Sequence, residues 1–230
     1  MRITNAVFTK QARDMVKNPM ALVMFLVFPV VAFIMTLLIA RGNDDIPSNM
    51  FVTIMAAIFA GMGLITAVSD AIAEDIENKS LRFLVIAGVK PHQYLCGMGG
   101  FFLLGGAVTS VVFALIGDFT FMETLKFLAI MVSGVAASVL LGATIGICAK
   151  NRQGATSLGM PVAMLVGFVP MIAGFNETVE RFAGVLYTQQ INVVVNDFSA
   201  GIVKPLLVIV VNIAVLTVLF VVAYKKKGLK

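Results

Sequence analysis

The chain has 230 residues, of which 60% are hydrophobic and 13% charged, with a net charge of +5 and a mean hydropathy of +1.00. Soluble domains carry about 25% charged residues, so this composition excludes a soluble monomeric domain and points to the membrane. Two cysteines and one histidine leave too few ligands for a disulfide framework or a thiolate or imidazole metal centre.

Residues 1–19 read as an interfacial amphipathic helix. On a helical wheel Arg2, Lys10, Arg13 and Lys17 share one arc, with Phe8, Ala12, Met15 and Val16 roughly opposite. A disordered basic leader is the alternative. Pro19 marks the break before the first apolar run. A bilayer core about 30 Å thick needs about 20 apolar helical residues. Six runs meet that length, at residues 20–40, 51–73, 94–116, 125–149, 155–175 and 205–224. Barrel strands are excluded, because they need only about 10 alternating residues.

Orientation follows from Lys and Arg. Thirteen of them fall on one side: Arg2, Lys10, Arg13 and Lys17, then Lys79, Arg82 and Lys90, then Lys150 and Arg152, and finally Lys225, Lys226, Lys227 and Lys230. Only four, Arg41, Lys126, Arg181 and Lys204, fall on the other. The positive charge therefore marks the cytoplasmic face and calls for no nucleic acid. The expected fold is an all-α membrane protein in one domain, 1–230, with six transmembrane helices and both termini in the cytoplasm.

The connecting segments differ in character. Residues 41–50 form an external turn with Gly42, Asn43, Asp44, Asp45 and Pro47. Residues 176–204 are external but apolar, with Phe182, Val185, Leu186, Ile191, Val193, Val194 and Val195. This segment either lies in the outer leaflet or covers the bundle, and any irregular part at membrane depth must be buried in protein. Gly142 and Gly146 form a G-x-x-x-G pair, and Gly97, Gly99, Gly100, Gly105 and Gly106 crowd the third run, a composition that lets helices approach closely. Cys96 and Cys148 are expected as small core residues.

Catalytic chemistry is missing. No G-x-x-x-x-G-K-[ST], H-E-x-x-H or G-x-S-x-G sequence occurs. No non-membrane segment reaches the roughly 50 residues of a small domain. The chain is not expected to be an enzyme. Asp70 is the deepest ionisable residue, near the end of the second run. It is read as structural, with an ion or proton site as the alternative.

Residues 74–93, EDIENKSLRFLVIAGVKPHQ, form a cytoplasmic segment between the second and third runs. Asp75 with Lys79, and Asn78 with Arg82, are spaced i,i+4 for a short helix. Ile76, Phe83 and Ala87 share a face, with Leu84 nearby, and Gly88 and Pro91 end the helix. Such a helix suits docking to a soluble partner, and equally a plain interfacial loop.

The run Asp75-Ile76-Glu77-Asn78-Lys79-Ser80-Leu81-Arg82-Phe83-Leu84, followed by Gly88, Val89, Lys90, Pro91 and Tyr94, resembles the coupling segment of type-2 ATP-binding cassette exporter permeases of the bacterial drug and antimicrobial-peptide type. The family pattern is acidic-x-Glu-x-x-Ser/Thr-Leu-x-x-Leu, then Pro before the third span. Asn18-Pro19, Pro29 in the first run, Lys150-Asn151-Arg152-Gln153-Gly154 before the fifth and the external segment are similar too. The resemblance implies that Asp75, Glu77, Lys79, Ser80, Leu81, Arg82 and Leu84, helped by Arg13, dock into a separate ATPase subunit present in two copies. It implies that Pro29, Gly167 and Pro170 pack against a second permease, identical or homologous. ATP and Mg would sit on the ATPase and no cofactor on this chain. The implied cargo is hydrophobic or amphipathic, a drug, antimicrobial peptide or lipid-like molecule moved outward across the cell membrane. An ion-coupled secondary transporter built on Asp70, or a non-transporting scaffold, are the other classes the residues allow.

Overall fold

The computed structural model describes residues 2–17, 19–43, 46–199 and 201–228. Asn18, Asp44, Asp45 and Lys230 lie outside the described residues, as do the side chains of Arg2, Pro19 and Lys227. Among the described residues there is no strand. Six helices are long and apolar enough to cross a membrane: Leu22–Ala40, Met50–Glu77, Pro91–Ile116, Phe121–Cys148, Arg152–Ala173 and Val203–Lys226. They fall on the six expected runs. Several extend past them into polar sequence, because backbone hydrogen bonding continues after the apolar stretch ends.

In chain order the elements are α1 (Arg2–Lys17), α2 (Pro19–Met35) with a π turn at Thr36–Ala40, and α3 (Met50–Ile58) joined through a π turn at Phe59–Gly63 to α4 (Leu64–Glu77). Then come α5 (Ser80–Ile86), α6 (Pro91–Ile116), α7 (Phe121–Cys148), α8 (Arg152–Ala173), α9 (Glu177–Ala183), α10 (Tyr187–Asn196) and α11 (Val203–Gly228). The second span, α3 and α4, and the fourth, α7, form the centre, with α6, α8 and α11 around them. Glycine makes the closest contact possible. A Cβ on Gly142 would lie 2.7 Å from the Ile65 carbonyl oxygen, and one on Gly146 2.7 Å from that of Ser69. The G-x-x-x-G pair of α7 thus seats α4, as small residues do between membrane helices. Gly61 and Gly167 meet backbone to backbone where the second π turn crosses α8.

Three prolines, Pro29, Pro161 and Pro170, sit inside spans, and the bundle completes the hydrogen bonding at Pro29 and Pro170. A proline lacks the N–H that would bond the carbonyl four residues back. Pro29 leaves the Phe25 carbonyl open, and Thr109 Oγ1 of α6 donates to it at 3.3 Å, sharing its one proton with the Gly105 carbonyl at 3.0 Å. Pro170 leaves the Val166 carbonyl open, and Thr188 Oγ1 of α10 donates to it at 2.6 Å. In a bilayer such carbonyls have no water to turn to, so a neighbouring helix must supply the donor.

The apolar segment between α8 and α11 covers the bundle by entering it. Beyond α9, α10 packs on α3, α7, α8 and α11 with Ile191, Val194 and Val195 buried. Tyr187 Oη reaches Ser138 in the second half of α7 (3.0 Å), and Ser138 Oγ donates to the Ala60 carbonyl (2.6 Å). The Asn212 amide donates to the Val185 carbonyl at 2.9 Å. The segment is helical at that depth and buried in protein, the condition the apolar sequence required.

Two expectations are corrected. The face of α1 that packs on α6 is Val7, Gln11 and Met15, with Val16 exposed, and Lys10 turns inward instead of sharing the solvent arc. The cause is α6, whose Gly97 and Phe101 receive Val7 and Phe8 and set the helix's rotation. Cys96 and Cys148 are exposed rather than core, because among the described residues no helix covers those faces of α6 and α7.

Candidate functional site

The ends of the described chain meet at one end of the bundle. There α1, the last turn of α4, α5, the first turn of α6, the start of α8 and the end of α11 come together. The sequence builds this surface through two stops. Lys79 adopts a left-handed backbone (φ 59°) between α4 and α5, and Gly88 does so (φ 79°) after α5. Left-handed residues end helices, and glycine reaches that region at no steric cost. After α5 the Gly88 N–H donates to the Val85 carbonyl (3.0 Å) and the Val89 N–H to the Leu84 carbonyl (3.0 Å), the paired bonds of a Schellman ending. Pro91 then opens α6, with the Lys90 N–H donating to Gln93 Oε1 at 3.0 Å.

Asp75 is the hub. It is buried, and its carboxylate accepts from Lys10 Nζ of α1 and from Tyr94 Oη of α6, the latter at 2.8 Å. Lys10 also pairs with Asp14 at 3.3 Å. Burial alone would lower the Lys10 pKa, but Asp75, and to a lesser degree Asp14, outweigh it and hold the ammonium above its ordinary value. One carboxylate therefore ties three elements, and both of its oxygens are used. A second tie runs from α4 to α8. Arg152 reaches Glu74 at 3.5 Å, and its backbone N–H donates to Glu77 Oε2 at 3.1 Å. Asp70 accepts from Thr156 Oγ1 at 3.2 Å, again joining α4 to α8.

On this mount α5 divides into two faces. Leu81 is buried and Leu84 and Val85 pack on the core, while Arg82, Phe83 and Ile86 face outward, the last two 69% and 74% exposed. Glu77 and Lys79 are exposed beside them, Ser80 is half-buried, and Arg13 is exposed on α1. The surface thus joins a cation to two large apolar side chains on a short, firmly held helix. Among the described residues no cluster of metal-binding side chains occurs.

The structure changes three details of the sequence reading. The pairs Asp75–Lys79 and Asn78–Arg82 do not form, because the break at Lys79 removes the helix they needed and Asp75 turns to Lys10 and Tyr94 instead. The break also re-phases α5, so Phe83 faces out and Leu81 in. Lys10, Tyr94 and Ile86 belong to this surface and were not among the expected site residues. Lys10 is 65 residues from Asp75 and Tyr94 is 19, so no local pattern announced them.

Pro29, Gly167 and Pro170 sit apart from this surface. All three are buried within the single chain, Pro29 beside the Thr109 bond, Gly167 against Gly61, and Pro170 beside the Thr188 bond. No protein-family model matches this chain, and no curated protein matches it.

Proposed function

We propose that this chain is the permease subunit of a type-2 ATP-binding cassette exporter, with both termini in the cytoplasm of the cell membrane. The observation that carries the reading is α5, a short helix packed on α4, whose last turn Asp75 ties to α1 and α6, that turns Arg82, Phe83 and Ile86 to solvent beside Glu77 and Lys79. Two exposed aromatic or aliphatic anchors around a guanidinium are what a protein partner's pocket recognises. The excess of lysine and arginine on this end supports its cytoplasmic placement.

In this reading each of two ATPase subunits, carrying ATP and Mg, receives one α5, and closure of the ATPases rocks two permeases about their shared interface. The mount transmits the motion, since Asp75 fixes α5's base to α1 and α6. With Pro29, Gly167 and Pro170 buried, the faces left for a second permease are the exposed apolar ones of α2 and α8, such as Leu26, Val30, Met164 and Leu165. The cargo is hydrophobic or amphipathic.

The test is a mild-detergent pull-down from native membranes. An ATP-binding subunit is expected at equal stoichiometry with the unaltered chain. It should be lost with Phe83→Asp and Arg82→Glu, exposed changes that leave the spans folded. A chain that comes down without any ATP-binding protein sinks the proposal.

A further inference from the structure

At the end of the bundle away from α1, a groove of about 240 Å³ opens between α2 and α6. Lower down the two helices are in contact, with the Phe25 ring against Gly105 and Thr109 bonded to the Phe25 carbonyl. Above that contact Phe33 and Leu37 face Val112, Leu115 and Ile116 across the gap. Thr36 and Arg41 complete the lining.

Both polar residues are unusual. Thr66, Thr109, Thr144 and Thr217 return their hydroxyls to the carbonyl four residues back, the ordinary solution for threonine in a membrane helix. Thr36 does not. It is 4% exposed and its Oγ1 has no hydrogen-bond partner among the described residues. A buried polar group without a partner is costly, the more so away from water. Thr36 also opens the π turn Thr36–Ala40, whose carbonyl bond to the Arg41 N–H measures 3.0 Å. Single π turns inside α-helices gather at functional sites. Arg41 follows as a cation at the membrane edge, with no carboxylate within 4.0 Å among the described residues.

We propose that this groove holds one anionic phospholipid, its phosphate on the Arg41 guanidinium and one acyl chain along Phe33, Leu37, Val112 and Leu115. The Thr36 hydroxyl then donates to a glycerol ester carbonyl, which lies just below the phosphate as Thr36 lies one turn below Arg41. Charge and shape select this occupant. A guanidinium at the headgroup level forms paired, charge-assisted bonds to a phosphate, and a choline beside that phosphate would set a second cation next to Arg41, so a lipid with net negative charge is favoured. The groove is smaller than the roughly 300–1,000 Å³ of a pocket for drug-sized ligands and suits a single chain. The inference rests on the membrane reading alone and not on ATP-driven export.

The test uses the full chain, purified in mild detergent and stripped of lipid. It is titrated with phosphatidylglycerol and with phosphatidylcholine of the same acyl chains, and bound lipid is counted by native mass spectrometry. One phosphatidylglycerol is expected to bind at least about tenfold more tightly than phosphatidylcholine, whose phosphate is the same but whose choline places a cation beside Arg41. Arg41→Gln should remove that preference, and Arg181→Gln or Lys204→Gln should leave it intact. Val112→Phe fills the groove while keeping the charge, so it should weaken phosphatidylglycerol binding even if Arg41→Gln fails to fold. Equal binding of the two lipids, a preference undiminished in Arg41→Gln, or phosphatidylglycerol binding undiminished in Val112→Phe, overturns the proposal.

Discussion

The two ends of the bundle are held together by different chemistry. At the α1 end the ties are ionic: Lys10, Asp75 and Tyr94 across three elements, and Arg152 with Glu74. In the depth of the bundle and toward the opposite end they are mostly neutral: Thr188 to Val166, Ser138 to Ala60 and Tyr187, Asn192 to the Pro170 carbonyl at 3.1 Å, and Asn212 to Val185, with the Lys126 ammonium on the Phe198 carbonyl (2.7 Å) as the charged exception. The difference follows from what each end must satisfy. The ionic end lies beyond the apolar stretches, where water moderates the cost of a charge and a carboxylate can hold several elements at once. The neutral end carries α10 into the depth of the bundle, where a charge would cost several kcal/mol and hydroxyls and amides can meet open carbonyls without one.

The largest expected effect is at Asp75. Asp75→Ala leaves the Tyr94 hydroxyl without its partner and the half-buried Lys10 ammonium with Asp14 alone. Breaking a buried ion pair costs about 3–5 kcal/mol, and the partial exposure of Lys10 reduces this to about 2–3 kcal/mol. Reversible unfolding in mixed detergent micelles measures it. A loss below about 0.5 kcal/mol, the scale of an ordinary surface change, would show that the hub is ornamental.

Next comes Thr188→Val, which reopens the Val166 carbonyl at depth. The loss should be about 1–3 kcal/mol, the cost of one unsatisfied buried group. Adding Pro170→Ala restores the missing N–H, so the double variant should recover stability that the threonine change removed. Failure of that rescue would mean that Thr188 stabilises by packing and not by completing the proline site.

Smaller still is Arg152→Gln. Both partners of the Arg152–Glu74 pair are more than 40% exposed, so the loss should stay below about 1 kcal/mol. It should vanish in 1 M salt, where charges are screened within about 3 Å, and the Thr188 effect should not change. A salt-independent Arg152 effect would contradict the assignment of this tie as ionic and exposed.

The pH dependence is the finest distinction. The Lys10 pKa is raised in the folded chain above its ordinary value of 10.5. Its stabilisation is therefore fully present below pH 10.5 and is lost as pH rises through the higher folded value. Asp75→Ala should reduce this alkaline loss, since only Asp14 then raises the Lys10 pKa, and Thr188→Val should leave it unchanged. Unfolding midpoints taken from pH 9 upward read the difference.

How far the sequence could be read differs by element. The six spans were legible because a span is a property of one segment, about 20 apolar residues in a row whatever their neighbours do. The end of α5 was legible for the same reason, since Gly88 and Pro91 act on their own backbone. The role of Asp75 was not. A helix pattern offered it Lys79 four residues on, and only the left-handed turn at Lys79 sent it to Lys10 and Tyr94. Pro29 and Pro170 were visible as interruptions, yet their meaning waited on Thr109 and Thr188. The facing of α1 was likewise set by the glycines of α6 and not by its own wheel.

The sequence by itself thus determined which stretches are helical and apolar enough to enter a membrane, because hydrophobic transfer and backbone conformation act locally. Only the tertiary structure decided which polar groups meet, which proline carbonyls are completed, and which face of α5 and of the α2–α6 groove remains open. Those outcomes depend on partners tens of residues away, and the free energy of a buried polar group is fixed by its partner and not by its own identity.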